Sequence, residues 1–286
     1  MTSDAPDDRV SGRGGPAAEL RWLAHRGGGS AAPENTLAAF RAGLAAGFRA
    51  FECDVKLSSD GVPYLLHDDT LTRTTDAHGS AAAWPWARLQ RLDAGAWHSA
   101  RYRGEPLPSL EQVLAFAAAH GVWLNLEIKP CPGTEVATGH AVATRAAAWA
   151  RQHPALPAPL LSSFSLTALQ AARAQLDALA VALPLACLHE RFSRSDIRVA
   201  QALRAQALHC AWRGLRAADV QAVHHAGLAL RVYTVNRAPT AARLLALGVD
   251  GLFTDRLQLP PHVGGCAPTR DPAGIHCRFV ASTVDG

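Results

Sequence analysis

A closed (β/α)8 barrel is the fold this sequence predicts, and three features predict it. From Leu20 onward, short apolar runs alternate with longer Ala- and Leu-rich amphipathic stretches. Strands that alternate with crossover helices make a parallel sheet, and eight such units in about 240 residues is the arithmetic of a barrel. Glycine follows four of the predicted helices, at Gly47, Gly121, Gly227 and Gly248. Each stands one to three residues before the next predicted strand, where the chain needs a left-handed residue to leave a helix. A doubly wound open sheet is the alternative. The first βα turn lacks the G-x-G-x-x-G pattern of that fold, and Gly27-Gly28-Gly29 is a plain glycine run.

The elements follow in order. Strands are predicted at 21–24, 50–55, 122–128, 160–163, 179–183, 207–210, 228–234 and 251–254. Helices are predicted at 37–46, 110–120, 135–152, 166–175, 196–203, 217–226 and 240–247, the first capped by Asn35-Thr36. The stretch from 56 to 108 breaks this rhythm. A further apolar run, Val62 to Leu66, follows the hairpin signal Ser58-Ser59-Asp60-Gly61. Beyond it come Trp84-Pro85-Trp86, Trp97-His98 and Pro106-Leu107-Pro108, with turn signals and little helical period. This is a small insertion after the second strand, and connections of that length are usually functional. The predicted organisation is therefore a disordered segment 1–18, a barrel domain 19–259 carrying the insertion, and a tail 260–286 rich in Pro and Gly.

Composition excludes several classes. With 49% hydrophobic and 18% charged residues, the 286-residue chain is globular. Its formal charge of +4 comes from arginines spread along the sequence without a like-charge block, so no nucleic-acid partner is expected. No apolar run reaches the length of a membrane span, and no stable membrane insertion is expected. The six cysteines include no C-x-x-C pair and do not read as a disulfide framework. The segment from Met1 to Gly15 lacks the basic-then-apolar pattern of a signal peptide, which makes the cytoplasm the expected location. No sequence feature sets an oligomeric state.

The chemistry concentrates at strand ends. Residues two apart in a strand face the same side, so Glu52 pairs with Asp54, and Glu127 with Lys129. In a barrel these groups converge at one mouth with His25. Three carboxylates brought together cannot all stay ionised without a compensating charge. An all-oxygen ligand set selects a hard divalent ion, Mg2+ or Ca2+. His25 and His67 each stand at the end of a predicted strand, where two imidazoles can divide the work of base and acid. The planar fork of Arg26 suits a phosphate. Lys129, one of only two lysines, offers a point charge to a phosphate oxygen or to the third carboxylate.

Taken together, the ordered motifs resemble the glycerophosphodiester phosphodiesterase family, in particular its bacterial cytosolic branch. They are His25-Arg26-Gly27, Pro33-Glu34-Asn35-Thr36, Glu52-x-Asp54, His67-Asp68, Leu107-Pro108-Ser109-Leu110, Glu127-Ile128-Lys129-Pro130, Ser162-Ser163-Phe164, Val232-Tyr233-Thr234-Val235-Asn236 and the run from Gly248 to Asp255. The resemblance implies a TIM barrel that hydrolyses glycerophosphodiesters to sn-glycerol 3-phosphate and an alcohol. It implies one divalent cation on Glu52, Asp54 and Glu127, an acid/base pair at His25 and His67, and phosphate contacts from Arg26 and Lys129. Phe164 and Tyr233 are implied as walls of the glycerol pocket, and His209 as a further substrate contact late in the sixth barrel strand. Lysophospholipids or phosphoinositides are alternative substrates for the same catalytic set.

Overall fold

The computed structural model describes residues 21–260. The expected disordered segment 1–18 and the tail beyond Pro260, with Cys266 and Cys277, lie outside the described residues. The described elements run β1 (Trp22–Ala24), α1 (Leu37–Ala45), β2 (Ala50–Leu57), β3 (Pro63–Leu65), α2 (Trp86–Leu89), α3 (Leu110–His120), β4 (Trp123–Ile128), α4 (Glu135–Gln152), β5 (Leu160–Ser163), α5 (Leu166–Ala178), β6 (Leu185–His189), α6 (Arg194–Ala202), β7 (Ala207–Ala211), α7 (Ala217–His225), β8 (Ala229–Tyr233), α8 (Ala238–Ala246) and β9 (Gly251–Thr254). The sheet order is β1-β9-β8-β7-β6-β5-β4-β2, and the pairing of β1 with β2 closes it into an eight-stranded parallel TIM barrel. β3 stands outside this ring, paired antiparallel to the end of β2.

Strand alternation divides the apolar residues into two cores. On β2, Phe51, Cys53 and Val55 face the helices and join the main core, whereas Ala50 faces the barrel axis with Leu23, Trp123, Leu160, Ala186, Ala207 and Phe253. Each fully buried Leu, Val or Phe contributes roughly 1.5–3 kcal/mol over its exposed state. The insertion has a small core of its own, built on Tyr64, Leu66, Leu71, Leu89 and Leu107. It is therefore a packed cap, anchored to the barrel where Leu66 N–H donates to the Asp54 carbonyl of β2 at 3.1 Å.

Local signals account for most boundaries. The Thr36 hydroxyl caps α1 by accepting from Ala39 N–H, and Ser109 with Gln112 forms a capping box on α3. Gly47, Gly121, Gly227 and Gly248 all have positive φ, as the sequence predicts. The glycine run after β1 does more than turn the chain. A Cβ on Gly28 would lie 2.7 Å from the Ala39 carbonyl oxygen, and one on Gly29 2.4 Å from the Asp255 backbone. The run lets the first βα turn lie directly against α1 and the end of β9.

One strand is misplaced by the sequence reading. Residues 179–183, expected as a strand, begin with the C-cap of α5 and form the turn after it, and the strand is Leu185–His189. A short apolar run cannot be placed by periodicity alone. Here α5 runs to Ala178, Ala180 takes a left-handed φ of 52°, and Pro184, which has no N–H for a ladder, precedes the strand. The one-turn helix α2 was also unexpected, because Trp84-Pro85-Trp86 reads as a turn.

Candidate active site

The mouth of the barrel at the C-terminal strand ends carries the predicted residues. Glu52 and Asp54 project inward from β2 and Glu127 from β4, in the registers Glu52–Asn125 and Asp54–Glu127. All three are at least nine-tenths buried, and one carboxylate oxygen from each lies within 4.8 Å of the others. Glu52 accepts the Arg26 backbone N–H at 2.9 Å through Oε2, while its Oε1 is buried without a partner. Asp54 exchanges two hydrogen bonds with Asn35: the amide Nδ2 donates to Oδ2 at 2.8 Å, and the Asp54 N–H donates to Oδ1 at 3.0 Å. Lys129 donates to Glu127 Oε1 at 2.7 Å and lies 3.4 Å from Asp54.

The charges are unequal because the surroundings are. Burial and the neighbouring Asp54 carboxylate push the Glu52 carboxyl up to about 8, and the same two causes raise Glu127 to about 7. Burial also acts on Asp54, but Lys129 and Arg26 outweigh it and hold that carboxyl well below its ordinary range. Oxygen-only donors, mutual repulsion and an orphaned Glu52 oxygen together fit a hard divalent cation.

Each histidine has a carboxylate behind it. His25, directly after β1, donates from Nδ1 to Asp255 Oδ1 at 2.7 Å and turns Nε2 toward Glu52, 3.8 Å away. Asp255 is fixed in turn by Asn236, whose amide donates to Oδ2 at 2.7 Å. His67, just past β3, donates from Nδ1 to Asp68 Oδ1 at 2.7 Å. Burial lowers the pKa of both rings. For His25 the hydrogen bond to Asp255 and the charge of Glu52 outweigh that and raise it, whereas His67 stays lowered.

The cavity has a volume of about 250 Å³. It is lined by the three carboxylates, both histidines, Arg26 and Lys129, together with Phe164, Leu188, Tyr233 and Phe253. Tyr233 is steadied by its hydroxyl, which donates to the His189 carbonyl at 2.7 Å. A second cavity of about 300 Å³ shares Glu127, Lys129 and Phe164 with the first and extends past Asp69 and Glu135.

Every predicted site residue lines the first cavity except His209. His209 lies in β7, fully buried, with its ring 5.1 Å from that of Phe253 and neither nitrogen bonded. Burial holds its pKa well below the ordinary value. Sequence reasoning assigned no place in the site to Asp255, Asn236, Asp68, Glu34 or Asn125, and it read Asn35 only as part of a helix cap, a role that Thr36 fills; Asn35 instead binds Asp54. All of these but Asn125 lie inside quoted motifs, and Asn125 pairs with Glu52 in the strand register. Among the described residues no helix is long and apolar enough to cross a membrane, and Cys53, Cys131, Cys187 and Cys210 are free and buried.

Comparison with known proteins agrees with this fold. Residues 25–259 match the profile described as "Glycerophosphoryl diester phosphodiesterase family". A glycerophosphodiester phosphodiesterase of Caldanaerobacter subterraneus subsp. tengcongensis is 29% identical over 237 residues, covering 82% of this chain and 93% of that protein. Among solved structures, a phosphodiesterase of Oleispira antarctica in complex with the product sn-glycerol-3-phosphate superposes with a TM-score of 0.76 at 33% identity, covering 85% of this chain and 96% of that one. A glycerophosphodiester phosphodiesterase from Agrobacterium tumefaciens gives 0.68 at 26% identity, with coverages of 84% and 98%.

Proposed function

The chain belongs to the glycerophosphoryl diester phosphodiesterase family, and from that premise we propose that it hydrolyses glycerophosphodiesters to sn-glycerol 3-phosphate and an alcohol. One observation carries the reading: three buried carboxylates converge within 4.8 Å, flanked by two histidines that each have Nδ1 engaged and Nε2 free for the substrate. Glu52, Asp54 and Glu127 are the residues that would hold Mg2+ or Ca2+, and a bound ion would supply positive charge for the phosphodiester and for the charge that grows in the transition state.

The chain's own residues do the rest. Arg26 and Lys129 neutralise the phosphate oxygens. One histidine removes a proton from the attacking hydroxyl at Nε2, and the other gives a proton to the departing alkoxide as the P–O bond breaks. The carboxylates of Asp255 and Asp68 accept from Nδ1–H, so each imidazole is held as the tautomer that presents Nε2. The aromatic wall of Phe164 and Tyr233 excludes water from the glycerol side. The attacking hydroxyl is that of water or the 2-hydroxyl of the substrate glycerol. The second route gives a cyclic phosphate that water then opens, and fast-quench analysis in ¹⁸O-water separates the two.

The test is a coupled assay for glycerol 3-phosphate release from glycerophosphodiesters of varied head group, with Mg2+ or Ca2+. Release from none of them would overturn the reading. A second reading, cleavage of lysophospholipids, is favoured by the exposed apolar side chains Phe164 and Leu166, at 45% and 44%, beside the second cavity. Lysophosphatidylcholine against glycerophosphocholine in the same assay decides between them.

A further inference from the structure

Arg73 lies on the insertion between β3 and α2 and does not line the catalytic cavity. It nevertheless uses its guanidinium more fully than any group at the site. Nε and Nη2 donate to the two oxygens of Asp68 at 2.7 and 2.8 Å, and Nη1 and Nη2 donate to the two oxygens of Glu34 at 2.8 and 2.7 Å. Both carboxylates are thus gripped bidentately, the geometry that a planar fork supplies and an ammonium does not.

Each carboxylate also holds a residue of the proposed site. Asp68 Oδ1 also accepts from His67 Nδ1, and Glu34 Oε1 also accepts from Arg26 Nη1 at 2.7 Å. A continuous chain of hydrogen bonds therefore runs His67–Asp68–Arg73–Glu34–Arg26. It crosses from the insertion to the first βα loop, two segments that share no strand. Both ends of the clamp are held by hydrogen bonds within their own segments. Leu71 is fully buried in the insertion core, and its carbonyl accepts from the Thr75 N–H at 3.1 Å and hydroxyl at 2.7 Å, which fixes the turn that presents Arg73. Glu34 precedes Asn35, which is held by Asp54, and Thr36, whose hydroxyl donates to the Pro33 carbonyl at 2.7 Å.

We infer that Arg73 is a positioning residue for the hydrolysis: by clamping Asp68 to Glu34 it fixes the His67 imidazole relative to the phosphate-directed Arg26. This rests on the proposed function, which makes His67 one of the acid/base pair and Arg26 a contact of the phosphate. The charge of Asp68 is matched by Arg73, so the aspartate acts on His67 chiefly as an orienting acceptor. A 1 Å displacement of a catalytic group can cost about 100-fold in rate. That is the scale on which the clamp acts.

The experiment compares Arg73→Ala, Arg73→Lys, His67→Ala and the double variant His67→Ala/Arg73→Ala in glycerol 3-phosphate release, with thermal midpoints measured on each. Arg73→Ala should lower kcat about 100-fold, with KM changing much less. Arg73→Lys, which keeps the charge but loses the fork, should lose at least about ten-fold. It decides the matter should the alanine variant fail to fold. Because Arg73 acts through His67, the double variant should be no slower than His67→Ala alone. Additive losses in the double variant, or wild-type kcat in folded Arg73→Lys, would overturn the inference. Wild-type kcat in His67→Ala would instead overturn the catalytic reading on which it rests, so the two failures are distinct.

Discussion

The Lys56 ammonium donates to Asp69 Oδ1 at 2.8 Å and to the Lys129 carbonyl at 3.1 Å, and the lysine side chain is fully buried while Asp69 is 57% exposed. One buried cation thus joins the insertion, two residues beyond His67, to the end of the strand that presents Glu127. Lys56→Met keeps the volume of the stem and removes both bonds. Asp69 can rehydrate, so the penalty is the loss of two charge-assisted hydrogen bonds, about 1–3 kcal/mol. Urea unfolding should show a lower midpoint at an unchanged slope, accompanied by reduced turnover. An unchanged midpoint would show that the pair contributes nothing.

Removing either imidazole leaves the fold intact, because both rings stand on loops at the barrel mouth and neither belongs to the hydrophobic cores. His25→Ala and His67→Ala should each lower kcat by about 10²–10⁴, the usual worth of a positioned acid or base. Circular dichroism should match wild type in both. Near-normal turnover in either variant removes that residue from the mechanism.

Stability of the protein treated with EDTA should fall as pH rises. The carboxyls of Glu52 and Glu127 are raised from 4.5 to about 8 and about 7, by burial first and by neighbouring carboxylates second. Between about pH 4.5 and 8 the folded chain keeps protons that the unfolded chain has released, so each unit of pH costs stability. His25, also raised, acts in the same direction; His67, lowered, acts against it. Asp54, held low, contributes stability that is lost only as the solution becomes strongly acid. Thermal midpoints from pH 5.5 to 8.5 should decline, and saturating Mg2+ or Ca2+ should flatten or reverse the decline, since ion binding favours the ionised carboxylates. A midpoint that rises with pH in EDTA contradicts the burial argument.

The sequence reveals the barrel because most strand–helix units carry local punctuation, a cap such as Thr36 or Ser109 or a left-handed glycine such as Gly121. β6 was misplaced where that punctuation failed, since Ala180 turns the chain in a left-handed conformation that glycine usually takes. The carboxylates were legible because charge inside an apolar strand needs a reason. The supports behind them were not. Asp255 reaches His25 across 230 positions of sequence, and Arg73 reaches Glu34 across 39. Only barrel closure and the packing of the insertion bring those pairs together. His209 shows the converse limit: its place near a strand end fits a substrate contact, yet inward alternation on β7 sets it beneath Phe253, outside the cavity lining.

Replacing Glu52 by glutamine separates the cost of the carboxylate cluster from its use. Glu52 is buried beside Asp54 and Glu127, its ionised form is disfavoured up to about pH 8, and one of its oxygens has no partner. Glutamine keeps the shape and the acceptor for the Arg26 N–H while removing a charge that the site opposes. In EDTA at pH 8.5 or above, where wild type must ionise, Glu52→Gln should therefore melt at a higher temperature than wild type. The same variant should lose most of the rise in midpoint that Mg2+ or Ca2+ gives wild type, together with most turnover, because a neutral amide is a poorer ligand for a hard cation. A fall in midpoint without metal, combined with a full response to added metal, would mean that Glu52 serves the fold and not the cation.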